Sequence, residues 1–66
     1  MSKETRFMIF ATEYYRTKKH LSGAEVADLF SRYEIFDLLA ENYFLYHIES
    51  PDNFVAEIDQ KIANDS

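Results

Sequence analysis

Gly23 and Pro51 are the only glycine and the only proline in a chain of 66 residues. An all-β chain of many short strands needs turn chemistry roughly every ten residues, and two such residues cannot supply it. Apolar side chains instead recur at helical spacing. Phe7, Phe10, Ala11 and Tyr14 repeat at i, i+3, i+4, i+7, and so do Val26, Leu29, Phe30 and Tyr33. The fold class this dictates is all-α, a compact bundle of three or four short helices in one domain spanning residues 1–66.

Local signals place the helix ends. The first helix runs from about Lys3 to Lys19, and its cationic end, Lys18, Lys19 and His20, complements the negative pole of the helix dipole. In "LSGAEV", Ser22 followed three residues later by Glu25 makes a capping box, so a second helix covers about 23–33. A third, about 35–47, carries Ile35, Leu38, Leu39, Tyr43 and Tyr46 on one face, with Phe36, Phe44 and Leu45 spread around it. So broad an apolar surface marks the central helix of a bundle. Whether the second and third helices are separate at Glu34 or continuous through "SRYEIF" stays open, because a helix stop there would favour glycine. In "ESPDNF", Ser50 suits an N-cap and Pro51 the first helical position, which starts a fourth helix over about 51–63. That helix is expected to bury Phe54, Val55, Ile58 and Ile62 and to fray in its last residues.

Size sets the energetic problem. A domain this small buries only about 60% of the surface its unfolded chain exposes, and without cysteine no disulfide or thiolate zinc site can brace it. Dense helix packing or oligomerisation must do so, and eleven aromatic side chains suit both. The opening MSKETRFMIF has no apolar run of signal-peptide length, and no segment approaches the roughly 20 apolar residues of a membrane span. The expectation is a soluble, cytoplasmic chain.

Charge is divided unevenly. Residues 1–20 hold five cations and two carboxylates, a net of +3, whereas residues 21–66 hold two cations and ten carboxylates, a net of −8. The acidic balance disfavours binding to phosphate backbones. Arg16, Lys18 and Lys19 form the one cluster through which a DNA contact could run, and the acidic stripes leave a nucleic-acid mimic as a further alternative.

No constellation for catalysis is present. His20 and His47 stand at helix ends without a second ligand at helical spacing, a single glycine cannot build a phosphate loop, and no nucleophile with a base is evident. The chain reads as a non-enzymatic protein with no catalytic, cofactor or metal residues and no small-molecule substrate. Two features point to a protein partner or a homodimer. Glu34, Asp37 and Glu41 share one stripe and could steer a basic surface. Five tyrosines exceed what one small core can hide, and Tyr15, Tyr43, Phe44 and Tyr46 are the expected aromatic anchors.

The succession "ETRFMIFATEYY", "LSGAEVADLFSRY", "IFDLL", "LYHIES" and "FVAEIDQKI" resembles a family of small bacterial proteins, a domain of unknown function of about this length common in gut Firmicutes. The resemblance covers nearly the whole chain. It implies a gene set beside other small proteins or beside a larger ADP-ribosyltransferase-like one, hence an antitoxin-like or accessory role, and it carries over no catalytic residue. Members of that family usually place glycine after the tyrosine matching Tyr33, where this chain has Glu34.

Overall fold

The computed structural model describes residues 1–66 as five helices without a strand: α1 (Lys3–Lys19), α2 (Gly23–Arg32), α3 (Ile35–Glu41), α4 (Tyr43–Tyr46) and α5 (Pro51–Asp65). They form a globule of 27 × 22 × 18 Å in which α3 touches every other helix. None of the helices is long and apolar enough to cross a membrane.

Each boundary has a local cause. Ser2 caps α1 by accepting the Thr5 backbone N–H at 3.1 Å. At the other end His20 adopts the left-handed conformation (φ 58°), so that Leu21 N–H reaches the Arg16 carbonyl at 2.9 Å and His20 N–H that of Thr17 at 3.3 Å. These are the two bonds of a Schellman stop, made here without glycine. The capping box at α2 is complete: Ser22 Oγ accepts the Glu25 N–H at 3.1 Å, and the Glu25 carboxylate accepts the Ser22 N–H at 2.8 Å. That second bond holds the Glu25 carboxyl below the usual carboxylate range.

At Glu34 the helices are separate. Glu34 takes φ 56° and ψ 38°, and its N–H donates to the Ser31 carbonyl at 3.4 Å before α3 sets off in a new direction. A left-handed turn, the conformation glycine adopts most readily, is thus made here by a glutamate. The expected third helix, 35–47, is in fact two. Both the backbone N–H and the side-chain amide of Asn42 donate to the Leu38 carbonyl, at 3.1 and 3.0 Å, and Asn42 leaves helical geometry with φ −110° and ψ 15°. An asparagine that binds the preceding turn in this way competes with helix propagation, and the chain restarts as the single turn α4. The C-terminal helix runs past 63 to Asp65 instead of fraying, held by pairs one turn apart between Gln60 and Asn64 and between Lys61 and Asp65.

Eleven residues are buried: Phe7, Ala11 and Tyr15 from α1, Val26 and Phe30 from α2, Ile35 and Leu39 from α3, Tyr46 from α4, and Phe54, Val55 and Ile58 from α5. Ile62 is only half-buried against them. Phe54 is the hub, with its ring 5.6 Å from Phe7, 6.1 Å from Phe10, 5.8 Å from Tyr14 and 6.3 Å from Tyr46. A second aromatic group centres on Phe30, which meets Tyr15 at 5.4 Å and Phe36 at 5.5 Å. The core stripe of α1 is therefore Phe7, Ala11, Tyr15, whereas Phe10 lies at its margin, half exposed.

Two matching clips fasten α5 to α1. Tyr14 Oη donates to Asp52 Oδ1 at 2.7 Å, and Lys18 Nζ lies 3.3 Å from the same oxygen. One residue further on, Tyr15 Oη donates to Asp59 Oδ1 at 2.7 Å while Lys19 Nζ reaches Asp59 Oδ2 at 2.6 Å. In each clip the lysine lies one helical turn after its tyrosine and sits above that ring, at 5.6 and 5.7 Å from the centroid. The hydrogen bonds from Tyr14 and Lys18 hold the Asp52 carboxyl below its ordinary range. Burial, then the bond to Asp59, pushes the Tyr15 phenol well above its ordinary value, and burial likewise raises Tyr46.

Two expectations follow for stability. A side chain in the left-handed region costs about 1 kcal/mol, part of which glycine's extra freedom in the unfolded chain takes back. His20→Gly and Glu34→Gly should each stabilise the fold by about 0.5–1 kcal/mol, while alanine at either position should give no such gain; thermal unfolding reads this at about 4–8 °C per kcal/mol. The second concerns pH. Tyr15 and Tyr46 have raised values when folded, so their contribution is complete below the unfolded tyrosine value of about 10 and is lost as pH rises above it. Glu25 and Asp52 have lowered values, so theirs is complete above the unfolded carboxylate value of about 4 and is lost as pH falls through the folded values. Urea midpoints across pH should show a plateau between about pH 5 and pH 9 with a fall on either side, and Tyr15→Phe should blunt the alkaline fall.

Candidate functional site

The residues expected to meet a partner do not all face outward. Tyr15 is 3% exposed, because it continues the Phe7–Ala11 stripe, and its phenol is spent on Asp59. Tyr46 is buried too, on the far side of the break at Asn42. Restarting the helix at Tyr43 turns Tyr43 and Tyr46, three residues apart, onto the bundle, where the Tyr43 ring meets Phe7 at 5.5 Å and the Tyr46 ring meets Phe54. Both belong to the packing, so Tyr15 and Tyr46 are corrected from anchors to core residues. Tyr43 is half-buried, and His47 stacks on its ring at 4.5 Å with the two planes 7° apart.

The same rotation carries the intervening side chains out. Phe44 is 76% exposed, Leu45 53% and Ile48 68%, three large apolar groups within five residues. The His47 ring stands edge-on to Phe44 at 5.7 Å, and its Nδ1–H donates to the Tyr43 carbonyl, 2.9 Å away, which fixes the shape of the turn. Leu45 and Ile48 did not stand out in the sequence. The signal that could have found them is the spacing itself: with Tyr43 and Tyr46 on the core face, Phe44, Leu45 and, one turn after Phe44, Ile48 fall outside it.

The acidic stripe is brought together. Glu34, Asp37 and Glu41, with Leu38 and Lys61, line a hollow of about 220 Å³ between α3 and α5. Lys61 is the one cation there and its Nζ is already held by Asp65 at 2.7 Å, which keeps the ammonium charged, with Glu34 and Glu41 adding to that effect. A second concavity of about 390 Å³ lies between α1 and α2. Met8, Ile9, Val26 and Phe36 line it, and the Glu13–Arg16 pair closes one end. At its mouth Gly23 faces open space, so the fold does not require a glycine there.

Ion pairing distributes the remaining charge. Arg16, Lys18, Lys19, Arg32 and Lys61 are engaged by Glu13, Asp52, Asp59, Asp28 and Asp65. Of seven cations this leaves Lys3 and Arg6 outside any ion pair, both near the start of α1. Of twelve carboxylates it leaves seven, and five of these, Glu34, Asp37, Glu41, Glu49 and Glu57, fall within residues 34–57. The cluster Arg16, Lys18 and Lys19 is occupied internally, and the uncompensated negative charge surrounds the α3–α4–α5 side on which Phe44, Leu45 and Ile48 protrude.

No curated protein and no solved structure shows significant similarity to this chain. Residues 6–65, from the first turns of α1 to the end of α5, match the family described as "Protein of unknown function (DUF3791)", and the chain belongs to that family.

Proposed function

We propose that the protein is a non-enzymatic interaction module that docks on another protein through the α4 corner. The observation that carries this reading is the exposure of Phe44, Leu45 and Ile48 side by side on a turn whose inward faces, Tyr43 and Tyr46, are fixed by the core. Single exposed apolar residues are ordinary, but clustered ones mark interaction sites. Phe44 is the principal anchor: it is large and rigid, and it is braced from behind by His47. Glu41 and Glu49 flank the corner in sequence, and the hollow of Glu34 and Asp37 extends the acidic surface along α3. Such charges act chiefly on association rate and on the choice of partner. The role that fits is that of a neutralising or accessory partner, antitoxin-like, of a bacterial protein encoded nearby. Occupation of Arg16, Lys18 and Lys19 by carboxylates of the same chain weighs against a nucleic-acid contact.

Phe44→Ser with Ile48→Ser tests the reading. Because both side chains are largely in solvent, the double variant should unfold within about 0.5 kcal/mol of the parent. Its affinity for the protein that the parent retains from native cells should fall at least tenfold, which corresponds to about 1.4 kcal/mol. A double variant that folds and binds as the parent does overturns the assignment of the site.

A further inference from the structure

The shape and charge of the α4 corner together specify what can cover it. Neither concavity of the molecule includes Phe44, Leu45 or Ile48: one lies between α1 and α2, the other between α3 and α5. The corner lines no hollow, and the three side chains, mostly in solvent, project from it as a knob. Glu41 lies one turn before Phe44 and Leu45, and Glu49 follows Ile48. Glu49 and Glu57 both act electrostatically on the phenol of Tyr46, which belongs to the same turn as Phe44 and Leu45. None of these three carboxylates is in an ion pair within the chain.

Resting on the docking site proposed above, we infer that the occupant is an apolar cleft of a different protein, rimmed by lysine or arginine, into which Phe44, Leu45 and Ile48 insert. A projecting apolar anchor gains affinity when a concave partner desolvates it fully, and the carboxylates around it then face the partner's rim, where like charges would repel. A second copy of this chain fits poorly as the receptor. Its own apolar cleft, between α1 and α2, has for rim charges only Glu13 and Arg16, which already bind each other at 2.6 Å. The two cations outside ion pairs, Lys3 and Arg6, do not line it. A copy would therefore offer the knob a receptor with no free positive charge, on a molecule whose net charge is −5.

The test uses the purified full chain with photoreactive benzoylphenylalanine in place of Phe44, added to lysate of its native cells and irradiated; a second preparation carries the probe at Asp28 on the exposed side of α2. The expected result is a discrete adduct from position 44, absent from position 28. Its cross-linked peptide should lie in a segment where lysine and arginine outnumber aspartate and glutamate. Its yield should fall several-fold as salt rises from about 50 to about 500 mM, where screening shortens to a few ångströms. Glu41→Lys with Glu49→Lys, checked for parental helicity, should lower the yield at least as much. An adduct in an acidic or uncharged segment, or one indifferent to the charge reversal, overturns the basic-cleft inference while the docking site stands. Cross-linking of position 44 to another copy of the chain overturns it in favour of a homodimer. Absence of any adduct from position 44 removes the docking site as well.

Discussion

Phe54 is the side chain on which the arrangement of helices depends. Four aromatic rings from α1 and α4 meet it, and it is contributed by α5, the last element of the chain. Contacts so distant in sequence are what turn a run of amphipathic helices into a closed core, because they bring the last helix onto the first. The clips reinforce this contact from both directions along α5. Asp52 lies two residues before Phe54 and Asp59 five after, so the aromatic hub sits between two carboxylates bound by α1. Surface ion pairs alone contribute little. Here each carboxylate also accepts a phenol hydrogen bond, and the Tyr15 phenol is buried, so its loss would leave a polar group without a partner.

The second constraint is that the chain must change direction four times with one glycine, and that glycine is not in a turn but on the first turn of α2. Different chemistry is used at each break. His20 and Glu34 accept the left-handed conformation, Asn42 adds its side-chain amide to the Leu38 carbonyl and leaves helical geometry, and Ser50 with Pro51 imposes a restart. The break at Asn42 has the largest consequence. Were 35–47 one helix, its apolar residues would be spread around the circumference and no single partner helix could cover them. Dividing it lets Tyr43 and Tyr46 turn inward as a pair and concentrates what is left at one corner.

This division explains which parts of the structure were legible in the sequence. The capping box at Ser22 and Glu25, the Ser50–Pro51 start and the C-terminal limit of α1 depend on residues within one turn of each other, and they lie where local reasoning places them. The centrality read for the segment 35–47 from its broad apolar surface holds for the part of it that forms α3, which touches every other helix. What depends on partners far away in sequence was not legible. Periodicity could not separate Phe10 from Tyr15, because the choice is made by where α5 crosses α1 and by Asp59 waiting for a phenol. The doubled spacing of Tyr14 and Tyr15 with Lys18 and Lys19 was visible, but its meaning required two aspartates that lie 7 residues apart on α5. Of the acidic stripe, the grouping of Glu34, Asp37 and Glu41 was readable from spacing, whereas the hollow they form with Lys61 was not.

The aromatic excess of a small domain does not account for the α4 corner. A core limited to eleven residues must leave some apolar groups at its margin, and Phe10, which still touches Phe54 and Tyr14, is such a case. Phe44 and Ile48 differ. More than two-thirds of each is in solvent, so polar side chains at these positions would surrender little buried area, and at about 25 cal/mol per Å² little stability with it. The core needs Tyr43 and Tyr46, and it needs the break that orients them; it does not need what projects between and after them. Neutralisation of charge follows the same division. Lys18 and Lys19 at the basic end of α1 are taken up in holding α5, which leaves Glu34, Asp37, Glu41, Glu49 and Glu57 outside any ion pair on the side of the exposed α4 corner. The forces that close the fold thus also determine the sign of the charge around the surface left open.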